Sequence, residues 1–174
     1  MSVLKILKYP DPLLRETSRP VTVFDARLRR LASDMTDTML DAPGAGLAAP
    51  QVGELQRLIV IDDRDDSEEE EYGSKNLALV NPVIVRGEGS REEKEGCLSV
   101  EDLKALVERF DLVEVEYQDL AGEPRRLTAG GHKAVIVQHE IDHLNGILFL
   151  DHLSPLTREL YLKSLKKKKR RGSL

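Results

Sequence analysis

The sequence predicts an α+β fold: mixed or antiparallel sheets packed around a central buried helix, with one further helix near the amino end and one at the carboxyl end. Three observations carry this. Short runs rich in β-branched residues fill the middle of the chain between turn residues. Apolar residues near the amino end recur at helical spacing. Residues 133–145 are apolar on most sides, and a helix of that kind must be buried. The 174 residues fit one domain or at most two small ones. At this length roughly 70% of the unfolded chain's surface can be buried. Residues 1–165 read as a single domain and 166–174 as a basic tail.

Each element has a local cause. Tyr9-Pro10-Asp11-Pro12 is a turn, because each proline fixes its own φ and biases the residue before it away from helix. Asp25 can cap a helix running to about residue 41, whose Leu28, Leu31, Ala32, Met35 and Met39 form one apolar stripe. Pro43-Gly44-Ala45-Gly46 ends it. Leu58-Ile59-Val60-Ile61 reads as a buried strand. Residues 62–71 follow with eight acids against the single base Arg64, and such a run belongs in an exposed loop. Leu77 to Val85 is a second strand, interrupted at Asn81-Pro82, which calls for an edge position or a bulge. Leu112 to Tyr117 nearly alternates and fits a half-exposed strand. Asp119 to Gly122 turns it into a hairpin with Pro124 to Thr128. Asn145-Gly146 ends the apolar helix, and Ser154-Pro155 supplies a cap and a first-turn proline for a terminal helix to about residue 169.

Composition narrows the function classes. With 40% hydrophobic and 33% charged residues, the chain is neither collagen-like nor wholly disordered. Its one cysteine allows no intramolecular disulfide, so the fold stands without a staple and the thiol is free for other chemistry. Runs such as Leu77-Ala78-Leu79-Val80 fall far short of the roughly 20 residues of a membrane span. The amino terminus shows no signal-peptide pattern. The expected setting is cytoplasmic and reducing, with no membrane partner. The net charge of −5 averages an acidic body, which argues against DNA binding, and six consecutive cations at 166–171. That tail is either a solvated terminus or a contact for a polyanion.

The strongest chemical signal is His139-Glu140-Ile141-Asp142-His143. On a helix, residues four apart share a face, so both imidazoles reach one metal ion while Glu140 can act on a water bound to it. The alternative, two solvated histidines, conflicts with the flanking Val135, Val137, Ile141 and Leu144. A hydrolytic site needs a third protein ligand and an open position. The longer protease pattern would place a ligand where this chain has Phe149, which cannot coordinate. Downstream, Glu159 is the one glutamate, on the terminal helix. Upstream lies Cys97 in Glu95-Gly96-Cys97-Leu98-Ser99, either a thiolate ligand or a small buried apolar residue. A third segment, Gly44-Ala45-Gly46-Leu47-Ala48-Ala49-Pro50-Gln51, offers the Gln51 amide to an oxyanion or is an ordinary turn.

Taken together and in this order, the three segments resemble the signature motifs of the peptide deformylases. Tyr9 to Arg15, Asn81-Pro82 and Leu148-Phe149-Leu150-Asp151 resemble further segments of that family, so the likeness covers roughly residues 3 to 160. It implies that Cys97, His139 and His143 ligate one divalent ion per chain, Fe2+ foremost, with Zn2+, Ni2+ or Co2+ able to take its place. It implies that Glu140 activates a metal-bound water for attack on the formyl carbon of the N-terminal formyl-methionine of a nascent polypeptide, releasing formate. Gln51 and the Leu98 N–H would hold the oxyanion. Gly44, Gly46 and Gly96 would admit the peptide backbone. Val135 and Ile136 are either walls of the methionine pocket or plain core. The chain departs from the family pattern at Glu101, Lys104 and Glu108 and keeps Arg109; lysine lacks the planar fork of arginine. His132 reads as a surface residue, and His152 carries no assignment. Two other functions compete: a metalloendopeptidase using Glu159, and a non-enzymatic metal-stabilised binding protein, which would need a fourth protein ligand. The basic tail could dock on ribosomal RNA beside the emerging chain.

Overall fold

A computed structural model describes residues 2–42, 44–64 and 75–170 of the chain. Its first helix, α1 (Ala26–Asp41), opens where expected: the Asp25 carboxylate accepts the N–H groups of Arg27 and Leu28 at 3.0 and 3.1 Å. Its buried stripe of Leu28, Ala32, Met35 and Met39 lies on one face of a five-stranded sheet. The strands of that sheet are β1 (Gly46–Ala48), β2 (Leu58–Asp62), β3 (Asn76–Glu88), β6 (Leu112–Gln118) and β7 (Pro124–Gly130), in the order β1-β2-β3-β6-β7. Every neighbouring pair is antiparallel.

Helix α2 (Gly131–Leu144) covers the other face of the sheet. Successive β2 side chains point opposite ways. Leu58 and Val60 therefore meet α1, while Ile59 and Ile61 meet Ala134, Val137, Ile141 and Leu144 of α2. Coverage on both faces is why β2 reads as an unbroken apolar run. Each of the four β2 side chains, fully buried, contributes about 1.5–3 kcal/mol.

The interruption in β3 is a bulge in a central strand, not a strand edge. The register with β6 shifts between Val80 and Val83, and Asn81 takes a positive φ of 51°. Its side-chain amide ties the bulge to the segment at Val21 and to β6. Asn81 Oδ1 accepts from Val21 N at 2.8 Å, and Nδ2 donates to Val21 O at 2.9 Å and to Gln118 Oε1 at 2.8 Å.

Two strands lie outside the expected set: β4 (Arg91–Cys97) and β5 (Val100–Arg109), an antiparallel ribbon of their own. A third core cluster, with Leu14, Val100, Val107, Leu148, Phe149 and Leu150, fixes this ribbon to the segment after α2. The terminal helix α3 (Pro155–Arg170) starts at Ser154, whose hydroxyl accepts from Thr157 N at 3.2 Å, and Tyr161 anchors it to the same cluster. The helix thus takes in the first five residues of the basic segment; residues 171–174 lie outside the described part. So do residues 65–71 of the expected acidic loop. Among the described residues, no helix is long and apolar enough to cross a membrane.

Candidate metal centre and active site

Cys97 closes β4, and its partner in β5 changes at this point, with a register shift between Gly96 and Cys97. The shifted end lies over α2 at the turn that carries His139 and His143. One ligand atom each from Cys97, His139 and His143 falls within 4.8 Å of the others. His143 Nε2 is 3.3 Å from Cys97 Sγ, close to the edge of a tetrahedron built on metal–sulfur and metal–nitrogen bonds of about 2.3 and 2.1 Å. Among the described residues, the group consists of these three side chains. The donor set fits one borderline divalent ion with a position left for water or substrate.

The charge around the three donors points the same way. Burial works against a proton on His139, but the Cys97 sulfur and the Glu95 carboxylate hold its pKa well above the ordinary value. Burial pushes His143 well below it, and the positive charge at His139 adds to the effect. The Glu95 carboxylate thus places negative charge directly behind His139.

Glu95 orients the His139 imidazole. His139 Nδ1 lies 2.8 Å from Glu95 Oε2, which leaves Nε2 facing the cluster. Arg109 grips that carboxylate with two prongs, Nε to Oε1 at 2.7 Å and Nη2 to Oε2 at 3.1 Å. Burial alone would raise the Glu95 pKa; hydrogen bonds from His139 and Arg109 outweigh it and bring it down to about 2. Arg109 Nη1 reaches on to Asp142 Oδ2 at 2.6 Å. These partners were not assigned from the sequence. One signal was available: Glu95 stands two residues before Cys97, and on a strand that spacing shares a face.

Glu140 is buried beside the cluster, and burial lifts its carboxyl to about 7. Among the described residues its Oε2 has no hydrogen-bond partner. The other carboxylate oxygen lies against Gly46, where a Cβ would sit 2.7 Å from it. Gln51 is also buried; its Oε1 accepts from Ala48 N at 2.8 Å, and its Nε2 donates to Ser99 Oγ at 3.1 Å and lies 3.7 Å from Cys97 Sγ.

A cleft of about 640 Å³ opens onto these groups. Gly44, Gly46, Gly96, Leu98, Val135 and Ile136 all line it, as do Gln51, Cys97, His139 and Glu140. The Leu98 side chain packs over Gly44, where a Cβ would lie 2.7 Å from its Cδ1. Glu101, Lys104 and His132 stand at the same cleft. Glu101 is tied to Lys8 at 2.9 Å, and Lys8 also donates to Leu98 O at 2.8 Å. His132 is half-exposed and paired with Glu93.

Glu159 sits apart, on the exposed side of α3 and paired with Lys163 at 2.7 Å, so the endopeptidase reading lacks its ligand. Phe149 is buried, its ring 5.9 Å from that of His139.

A family model described as polypeptide deformylase matches residues 3–159. The chain is 52% identical over 169 residues to a peptide deformylase of Desulfotalea psychrophila, covering 96% of this chain and 97% of that one. It is 50% identical over 168 residues to a peptide deformylase of Brucella suis, covering 96% and 94%. Among solved structures it is similar to the crystal structure of a peptide deformylase from Legionella pneumophila, with a TM-score of 0.88, 45% identity, and coverage of 99% and 98%.

Proposed function

The chain belongs to the peptide deformylase family, metal-dependent hydrolases that remove the formyl group from the amino end of nascent polypeptides, and we propose that in this member Cys97, His139 and His143 hold the ion. The convergence of those three donors at the end of one cleft, with Glu140 buried beside them, carries the reading. The ion is Fe2+, as the family resemblance implies, and Zn2+, Ni2+ or Co2+ suit the same donors. When bound, it supplies Lewis acidity that makes a water nucleophilic at neutral pH and polarises the formyl carbonyl.

The chain's own residues do the rest. Glu140, held near neutrality by burial, accepts a proton from the attacking water. Attack on the formyl carbon builds negative charge on its oxygen. Gln51 Nε2 and the Leu98 N–H donate to that oxygen, Gln51 by turning an N–H away from its long contact to sulfur. Glu140 returns the proton to the amine nitrogen as the C–N bond breaks, so formate and a free amino terminus leave. Gly44, Gly46 and Gly96 keep the cleft floor low for the peptide backbone, and Val135 and Ile136 wall the pocket for the methionine side chain.

Residues 1–165 act as the catalytic domain in the cytoplasm, a setting that the free thiol and the nascent substrate both favour. The cations from residue 166 onward dock on ribosomal RNA through phosphate contacts. Unchanged ribosome cosedimentation after deleting residues 166–174 would count against that role. The central test is Cys97→Ser. The variant should lose its metal and its release of formate from formyl-Met peptides; retention of both would overturn the ligand assignment. Metal analysis of anaerobically purified protein identifies the ion.

A further inference from the structure

His152 sits on the short turn Phe149–His152 that follows α2, and it takes no part in the cluster or the substrate cleft. Its Nε2 lies 2.8 Å from Asp142 Oδ2. The same oxygen accepts from Arg109 Nη1 at 2.6 Å. Arg109 in turn clamps Glu95, and Glu95 fixes the Nδ1 side of His139. Four hydrogen-bonded steps therefore join a half-exposed imidazole to a buried ligand. The bond pattern defines the proton on His152. Asp142 Oδ2, at 2.8 Å, is the nearer partner and a carboxylate oxygen only accepts, so Nε2 carries hydrogen toward it and both donors converge on Oδ2, with the Arg109 nitrogen 3.4 Å from Nε2 left as a contact between donors.

We propose that His152 is a positioning residue for the metal centre, holding the orientation of His139 through Asp142, Arg109 and Glu95. The inference rests on the ligand assignment above. Its physical basis is that a carboxylate held by two donors from different elements cannot rotate, whereas one held by a single donor can. Without His152, Asp142 turns about its bond to Arg109. The guanidinium fork then follows, and with it the carboxylate that sets the His139 ring. Partners of this kind control ligand orientation and basicity as well as the ligand's place. His152 also lines a second cleft of about 470 Å³ with Ile84, Phe110 and Gln138. The outer end of the relay is therefore open to solvent away from the substrate.

The test uses the full chain loaded with Co2+, whose visible absorption reports ligand geometry. His152→Ala should release cobalt to a chelator about 3- to 10-fold faster, below the 10- to 100-fold typical of partners that touch a ligand directly. Its absorption bands should shift, and kcat per bound metal should fall by a similar factor with KM unchanged. His152→Gln offers an amide N–H to Asp142 and should recover most of each effect. A release rate, spectrum and kcat equal to those of the unaltered protein would overturn the proposal. So would a lowered melting temperature with these readouts unmoved, which marks a structural clip, or a glutamine variant no better than alanine. Cys97→Ser in parallel separates the two readings. If it keeps its metal, the ligand assignment fails; if it loses metal while His152→Ala behaves normally, the relay alone fails.

Discussion

Gly46 lies directly against Glu140: a Cβ added at residue 46 would sit 2.7 Å from both Cγ and Oε1 of the glutamate. The glycine is thus needed by Glu140, the proposed base, in addition to any room it gives a peptide. In Gly46→Ala, Glu140 must move, because the buried α2 backbone cannot. General-base catalysis contributes typically 10²–10⁴-fold. The variant should lose about 10²-fold in kcat while keeping its metal content and its fold. Steady-state kinetics on a formyl-Met peptide, with metal analysis of the same sample, checks this.

Arg109 is a stability residue as much as a site residue. Its side chain is 5% exposed and neutralises Glu95 and Asp142 together. Arg109→Leu leaves one deeply buried and one mostly buried carboxylate without their shared guanidinium, each keeping only a histidine partner, and breaking such a pair costs about 3–5 kcal/mol. The exposed Lys163–Glu159 pair on α3 offers the contrast, since an i,i+4 surface pair contributes about 0.3–0.5 kcal/mol. Urea unfolding of Arg109→Leu and Lys163→Ala should show roughly that ratio. A loss below 1 kcal/mol for Arg109→Leu would contradict the network described.

What could be read from the chain follows from where each signal resides. The α1 stripe and the β2 run are written in neighbouring residues, since period and composition record which faces are covered. The β4–β5 ribbon is not. Arg91–Cys97 and Val100–Arg109 are dense in charge, and their buried positions include Glu95 and Arg109 themselves. An ion pair that replaces apolar side chains erases the alternation that marks a strand. The grouping of Cys97, His139 and His143 was legible because their motifs are local and in the family's order. Their supports were not. Arg109 meets Asp142 across 33 residues, and His139 meets Glu95 across 44. Only the folded register of β4, β5 and α2 brings those pairs together.

Acid should weaken the fold through Glu95. Its native pKa is about 2, against an ordinary value of 4.5, so the native state binds a proton less readily than the unfolded chain. The stabilisation is complete above about pH 4.5 and is lost as the pH falls toward about 2. Glu95→Gln cannot titrate there. Melting curves of the metal-free chain between pH 5 and pH 3 should fall more steeply for the unaltered protein than for Glu95→Gln. Equal slopes would sink the assignment of this carboxylate as a charged native group.

Gly146 and Gly53 separate two costs that glycines usually conceal together. Both have positive φ, 71° and 88°. A Cβ at residue 53 meets open space, so Gly53→Ala carries only the left-handed backbone penalty of about 1–2 kcal/mol. A Cβ at residue 146 would lie 2.3 Å from the carbonyl oxygen of Arg15. That carbonyl cannot retreat freely, because Ser18 N donates to Leu144 O at 2.9 Å and Arg15 is ion-paired with Asp151. Gly146→Ala must therefore pull the amino-terminal segment off the end of α2. It should lose at least about 3 kcal/mol, and at about 2–4 °C per kcal/mol for a chain of this size its melting temperature should drop by at least about 6 °C. Gly53→Ala should drop by about two-thirds of that or less. Matching losses in the two variants would show that the contact between Gly146 and Arg15 is loose, and that the helix end is held by conformation alone.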